Sequence, residues 1–230
     1  MVLAFRSIQR GFRTLIFPPR CIGCDLEREY LCQRCITLWS SAPVVSASLP
    51  IPIYSILRYS NLTSTVILAA KEDRNRSARR LIAEAFASSL EMISRQSQEP
   101  LTLVPIPSSK SAVRIRGEAF LLPIIAETLE LLDDRCDHLP IDVNELLFQR
   151  RKVREQTGLS FSERQTNVAH ALAVSESALR KSPPKSILLI DDVITTGSTL
   201  MSGYQALRER NLTVIAGVTA CASAQQMPIR

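Results

Sequence analysis

One stretch constrains this chain more than any other: Ser186-Ile-Leu-Leu-Ile-Asp-Asp-Val-Ile-Thr-Thr-Gly-Ser-Thr199-Leu200. Ile187 to Ile190 is an unbroken apolar run and reads as a buried parallel strand. It leads into two carboxylates, Asp191 and Asp192. A loop of small hydroxyl residues and one glycine follows, Thr195 to Thr199. A helical pattern then begins, with Leu200, Tyr204 and Leu207 on one face. Carboxylates can accept hydrogen bonds from two ribose hydroxyls, and loop amides at a helix N-terminus can hold a phosphate. Strand, acidic pair, small loop and helix in that order are the layout of a sugar-phosphate site. The plain alternative is an ordinary strand–turn–helix with an exposed acidic pair. No Gly-Lys-Ser/Thr is present, so a Walker loop is excluded.

A second constraint lies near the start. Four of the six cysteines fall in two knuckles, Cys21-Ile-Gly-Cys24 and Cys32-Gln-Arg-Cys35. Paired Cys-x2-Cys knuckles present four thiolates to a tetrahedral Zn²⁺. Zinc is the leading reading, ahead of a redox pair and of disulfides, which suit secreted chains. With every position filled by Cys, such a site is closed and structural. It would stabilise a segment too small for a core of its own.

Composition sets the outer bounds. The 230 residues suit one α/β domain with a small appendage, and the apolar content of 46% can build a full core. A formal net charge of +6 suits a polyanionic ligand and permits weak nucleic-acid association. No apolar run reaches the length of a membrane span. Residues 1–17 are apolar but interrupted by Arg6, Arg10 and Arg13, which argues against a signal peptide and for a cytoplasmic protein. Leu3, Ile8, Phe12, Leu15 and Ile16 suit a short amphipathic helix. Such a helix packs on its own domain or docks on a membrane surface or partner.

The run Asp191 to Thr199 resembles the phosphoribosyl pyrophosphate (PRPP) motif of type I phosphoribosyltransferases. The resemblance implies that Asp191 and Asp192 are the catalytic-site carboxylates that bind the ribose hydroxyls. It makes Thr195, Thr196, Gly197, Ser198 and Thr199 the 5′-phosphate cradle. Phe17-Pro-Pro-Arg-Cys-Ile-Gly-Cys24 and Leu31-Cys-Gln-Arg-Cys35 resemble the N-terminal zinc module of the ComF family (ComFC- and GntX-like proteins). Members are bacterial phosphoribosyltransferase-like proteins known from natural competence.

The middle of the chain extends this resemblance. Leu49 to Tyr54 reads as extended, and Leu62 to Ala70 as a helix leading to Lys71. The family carries a lysine in a similar place, which makes Lys71 a pyrophosphate candidate beside the alternative of a solvated helix-end lysine. Ala78 to Gln96 keeps helical spacing and reads as a core helix. Leu101 to Pro107 reads as a buried strand and loop. In the resembling family the loop after this strand receives pyrophosphate, and Ser108, Ser109, Lys110, Arg114 and Arg116 suit that chemically. The family then reads Arg-Gly-Phe-Asn-Gln, whereas this chain reads Arg116-Gly117-Glu118-Ala119-Phe120. Further on, the family pattern of a catalytic loop with Gln, Arg and Asn maps to Gln156, Arg164 and Asn167. Ser160 to Glu163 reads as a capping box for the helix carrying the last two.

These readings predict an α/β type I phosphoribosyltransferase fold: a mainly parallel, Rossmann-like sheet flanked by helices, with a small four-Cys zinc module. The expected division is 1–40 for the N-terminal helix and zinc module, and 41–230 for the phosphoribosyltransferase-like domain. Strand 186–192, helix 199–210 and a strand from Thr213 to Cys221 should form a right-handed βαβ unit. The resemblance implies PRPP as substrate, Mg²⁺ bound with it, structural Zn²⁺ at Cys21, Cys24, Cys32 and Cys35, and transfer of phosphoribosyl to an unidentified acceptor. The competing expectation is a non-catalytic accessory protein of natural transformation, binding PRPP and single-stranded DNA or the uptake machinery. His138 and His170 belong to no recognisable triad.

Overall fold

A computed structural model of the chain describes residues 18–27, 29–46, 49–135, 140–150 and 171–226. The N-terminal helix expected within 1–17 lies outside these residues, as do Cys136, His138, Gln156, Ser160, Arg164, Asn167 and His170.

Six strands form the main sheet: β1 (Val44–Val45), β2 (Ile53–Arg58), β3 (Leu101–Pro105), β4 (Ile141–Val143), β7 (Ser186–Ile194) and β8 (Val214–Ala222). Their order is β1-β2-β8-β7-β3-β4. All neighbours are parallel except β1, which runs antiparallel to β2. The unbroken apolar run in β7 is explained by its place: Ile187 to Ile190 are almost fully buried, with partners on both edges and packing on both faces. One face carries α2 (Asn61–Lys71), α3 (Arg76–Gln96) and α5 (Leu121–Asp133), whose apolar sides meet Leu188 and Ile190. The other carries α7 (Ser198–Arg208) and a small antiparallel ribbon, β5 (Leu147–Gln149) with β6 (Leu172–Val174), against Ile187 and Leu189.

Two further short helices complete the described elements, α4 (Lys110–Arg116) and α6 (Glu176–Lys181), together with α1 (Gln33–Trp39) in the cysteine module. Ser109 caps α4, its side chain accepting from the Ala112 amide, so Lys110, Arg114 and Arg116 of the expected loop are helical. Gly117 ends α4 at φ +77, a left-handed position that favours glycine. Pro123 sits in the first turn of α5, where its missing N–H costs no intrahelical bond.

Strand β7 runs two residues past the expected end. β8 continues alongside it, pairing Val193 with Cys221 and Ile194 with Ala222. β3 stops opposite Ile190. Asp191 and Asp192 therefore project where one neighbour has ended and the other goes on, at the carboxyl edge of the sheet. That is where ligands bind in open α/β folds.

The cysteine module packs onto this domain. Cys21, Cys32, Cys35 and Trp39 belong to the same buried cluster as Leu81 and Phe86 of α3. Ser88 of α3 donates its hydroxyl to the Ser40 carbonyl at 3.0 Å. Among the described residues, no helix is long and apolar enough to cross a membrane.

Candidate functional site

At the carboxyl edge of the sheet lies a cavity of about 530 Å³. Its lining unites residues far apart in sequence: Lys71, Ser108, Ser109, Arg116, Asp191, Asp192, Thr195 and Thr199. A volume of this order is that of an ordinary small-molecule site. The lining also includes Tyr59, Ile67, Leu68, Ile106 and Val193, which supply apolar surface.

The two carboxylates line the same cavity but differ in burial and partners. Asp192 is buried (8% exposed) and forms an ion pair with the Lys71 ammonium at the end of α2. Asp191 is half-buried, and its Oδ1 accepts from the Asp192 amide at 2.9 Å. Desolvation by the surrounding walls raises the Asp191 carboxyl well above the usual carboxylate range. The Asp192 charge adds to this, and the Lys71 ammonium opposes it.

The loop after β7 is shaped for close approach. Gly197 is buried at φ +79, and a Cβ there would lie 3.3 Å from Leu49 Cδ2. The position takes glycine for its backbone angle and has little spare room. Thr196 Oγ1 and Ser198 Oγ are 2.6 Å apart, and the Ser198 amide donates to Thr196 Oγ1 at 3.3 Å. Helix α7 starts at Ser198 with no side chain capping its N-terminus. The amides of its first turn therefore face the loop with the positive end of the helix dipole behind them.

The remaining expected residues divide. Ser108 and Ser109 reach the cavity from the loop after β3, and Arg116 reaches it from the end of α4. Arg114 and Lys110 are exposed and do not line it. Thr196, Gly197 and Ser198 form the loop itself rather than the cavity lining. Gln156, Arg164 and Asn167 lie outside the described residues. The ribbon flanking them ends beside the β3 loop, where the Gln149 side-chain amide donates to the Pro107 carbonyl at 3.3 Å.

Sequence reasoning missed the cavity's aromatic parts. Phe120 is buried with two cations against its ring: Lys71 Nζ at 5.2 Å and Arg116 Cζ at 5.9 Å from the centroid. Tyr59 follows β2 and stands at the cavity wall, 39% exposed. Neither residue lies in a recognisable motif.

In the cysteine module, the sulfurs of Cys21, Cys24, Cys32 and Cys35 all lie within 4.8 Å of one another. Cys32 Sγ is 3.6 Å from both Cys21 Sγ and Cys24 Sγ. A tetrahedron with Zn–S bonds of about 2.3 Å has edges of about 3.8 Å, so the cluster could hold Zn²⁺ with little adjustment. Burial pushes the Cys21 thiol up, but the amides of Cys32, Gly23 and Cys24 outweigh it and bring it to about 7. Cys35 is raised by burial and by the surrounding sulfurs. Outside this cluster, Cys221 is a buried strand residue whose thiol burial pushes up to about 12.

Residues 78–229 match the phosphoribosyl transferase domain family, and the chain belongs to that family. The match spans β3, β7 and β8 and therefore the acidic pair and the loop from Thr195 to Thr199. Among solved structures, a hypoxanthine phosphoribosyltransferase from Staphylococcus aureus is similar at 18% identity, covering 66% of this chain and 67% of that one with a TM-score of 0.37. No curated protein sequence matches the chain.

Proposed function

We propose that the chain is a PRPP-binding phosphoribosyltransferase of the ComF type, transferring the phosphoribosyl group to an acceptor yet to be identified. One observation carries this reading: Asp191, Asp192, Thr195 and Thr199 share a single cavity with Lys71, Arg116 and the Ser108–Ser109 loop. Such a cavity offers acceptors for ribose hydroxyls, amides for a terminal phosphate and cations for a pyrophosphate, all within reach of one ligand.

Transfer breaks the bond from ribose C1 to pyrophosphate and forms a bond from C1 to the acceptor. Both electrons of the broken bond leave with pyrophosphate. The acceptor supplies the electron pair of the new bond and then sheds a proton. Asp191 and Asp192 orient the ribose through its hydroxyls, the loop from Thr195 to Thr199 fixes the 5′-phosphate, and Lys71 and Arg116 receive the departing charge. The Asp191 and Asp192 carboxylates also suit Mg²⁺, which favours one or two carboxylates plus substrate phosphates. When bound, Mg²⁺ would add to neutralisation of the leaving group. No covalent nucleophile is required.

The ComF assignment, structural Zn²⁺ and the division at residue 40 rest on the two cysteine knuckles and on the four sulfurs gathered in one cluster. A role in DNA uptake follows from that resemblance alone. The deciding assay is pyrophosphate release from PRPP and Mg²⁺ across a panel of bases and amines. Release that depends on one acceptor, and that is lost in Asp191→Asn, supports the reading. A protein that binds no PRPP by calorimetry would end it.

A further inference from the structure

Where the pattern this chain otherwise resembles reads Arg-Gly-Phe-Asn-Gln, the Arg and Gly stand as Arg116 and Gly117, and Glu118-Ala119-Phe120 replace the rest. The Glu118 carboxylate forms an ion pair with Arg79 of α3 and lies 4.0 Å from Arg74 Nε. Arg79 holds the Glu118 carboxyl below the usual carboxylate range. Arg74 occupies the turn between α2 and α3 at φ 51, and its Nη2 lies 3.2 Å from where a Cβ on Gly117 would stand. One position before Gly117, Arg116 approaches Glu72 at 3.8 Å. Residues 116–118 are thus stitched to residues 72–79 by charge pairs on both sides of Gly117.

The stitched segment leads into the cavity through Arg116 and Phe120. Lys71 and Arg116 both line it, and both stand against the same Phe120 ring. Two like charges converging on one ring repel each other, so something has to hold them there. Phe120 attracts both, and Glu72 and Asp192 each face one of them. Glu118 touches neither cation. It anchors the turn from which Arg116 and Phe120 project, one on each side.

We propose that Glu118 is a positioning residue. Its ion pairs with Arg79 and Arg74 fix the Gly117–Phe120 turn, and so hold Arg116 at the spacing from Lys71 that receives the pyrophosphate of PRPP. The inference rests on the cavity being a PRPP site.

Calorimetry with two ligands in Mg²⁺ separates positioning from mere support. PRPP carries the pyrophosphate, and ribose 5-phosphate lacks it. In Glu118→Gln, PRPP affinity should fall about tenfold, the scale of one charge-assisted contact, while ribose 5-phosphate affinity stays at the wild-type value. Exchanging the charges, Glu118→Arg with Arg79→Glu, should recover part of the loss. Unchanged PRPP affinity, or equal losses for both ligands, overturns the inference. Should Glu118→Gln fail to fold, Arg74→Gln replaces it. That side chain is 54% exposed, and the same selective loss is expected on a smaller scale. If the wild type binds PRPP and the variants bind it equally well, only the role of Glu118 fails. If the wild type binds no PRPP, the reading of the cavity fails and the inference falls with it.

Discussion

The Lys71 ammonium and the Asp192 carboxylate form an ion pair across the candidate site, joining the end of α2 to the acidic pair of β7. Lys71 also lies against Phe120, so one cation serves two neighbours. Replacing Lys71 with Met should leave Asp192 without its counter-charge and remove a cation from the cavity. The expected stability loss is about 1–2 kcal/mol, since both groups are only partly screened by water. Urea denaturation measures it, and calorimetry should show weaker PRPP binding in the same variant.

Asp191 sets a pH dependence whose sign can be worked out. Its carboxyl is raised, so the folded chain holds this proton to higher pH than the unfolded chain does. The stabilising contribution of the protonated group is fully present below the ordinary carboxylate range. It is lost as pH rises through that range to the raised value. Asp191→Asn should therefore raise the melting temperature at neutral pH and abolish PRPP binding. Wild-type binding should weaken as pH falls through the raised value, because the protonated carboxyl accepts fewer hydrogen bonds. A variant no more stable than wild type at pH 7 contradicts this account.

Gly197 is the tightest backbone requirement of the loop after β7. Gly197→Ala forces a side chain into the left-handed region and against Leu49. The expected cost is about 1–2 kcal/mol. The displaced loop should bind ribose 5-phosphate more weakly, a result readable by calorimetry on the folded variant.

Metal removal has a built-in reporter. Trp39 is the single tryptophan of the chain, lies 2% exposed on α1, and packs in one cluster with Cys21, Cys32 and Cys35. Chelation should shift its emission to the red and lower the melting temperature. Added Zn²⁺ should reverse both changes. Emission indifferent to chelator, with no zinc found by elemental analysis, would refute a structural metal.

The acidic pair at the sheet edge, the glycine turn after β7 and the clustering of the cysteines were legible because each is local in sequence. Each is a short run of uncommon residue types standing close together. β7 was legible for a similar reason, since Ile187 to Ile190 are buried on both faces and leave only one pattern. The end of β7 was not, because Val193 and Ile194 are strand only through the length of β8, a segment some twenty residues on. The ion pairs of Glu118 were hidden for the same kind of reason. Its partners Arg74 and Arg79 lie in another helix and turn, and nothing in residues 116–120 announces them. The cap that turns part of the β3 loop into α4 was visible in principle, since Ser109 precedes a run that can be helical.

The pairing of β2 with β8 carries a consequence for biosynthesis. Ser55 and Thr219 share a buried hydrogen bond at 2.6 Å while standing 164 positions apart. A ribosome adding about 5–20 residues per second needs on the order of 10 s to cover that interval. Throughout it, β2 exists with no parallel partner, and its edge is open to other nascent chains. Expression yield should therefore respond to translation speed and chaperone supply more than the stability of the finished protein would suggest.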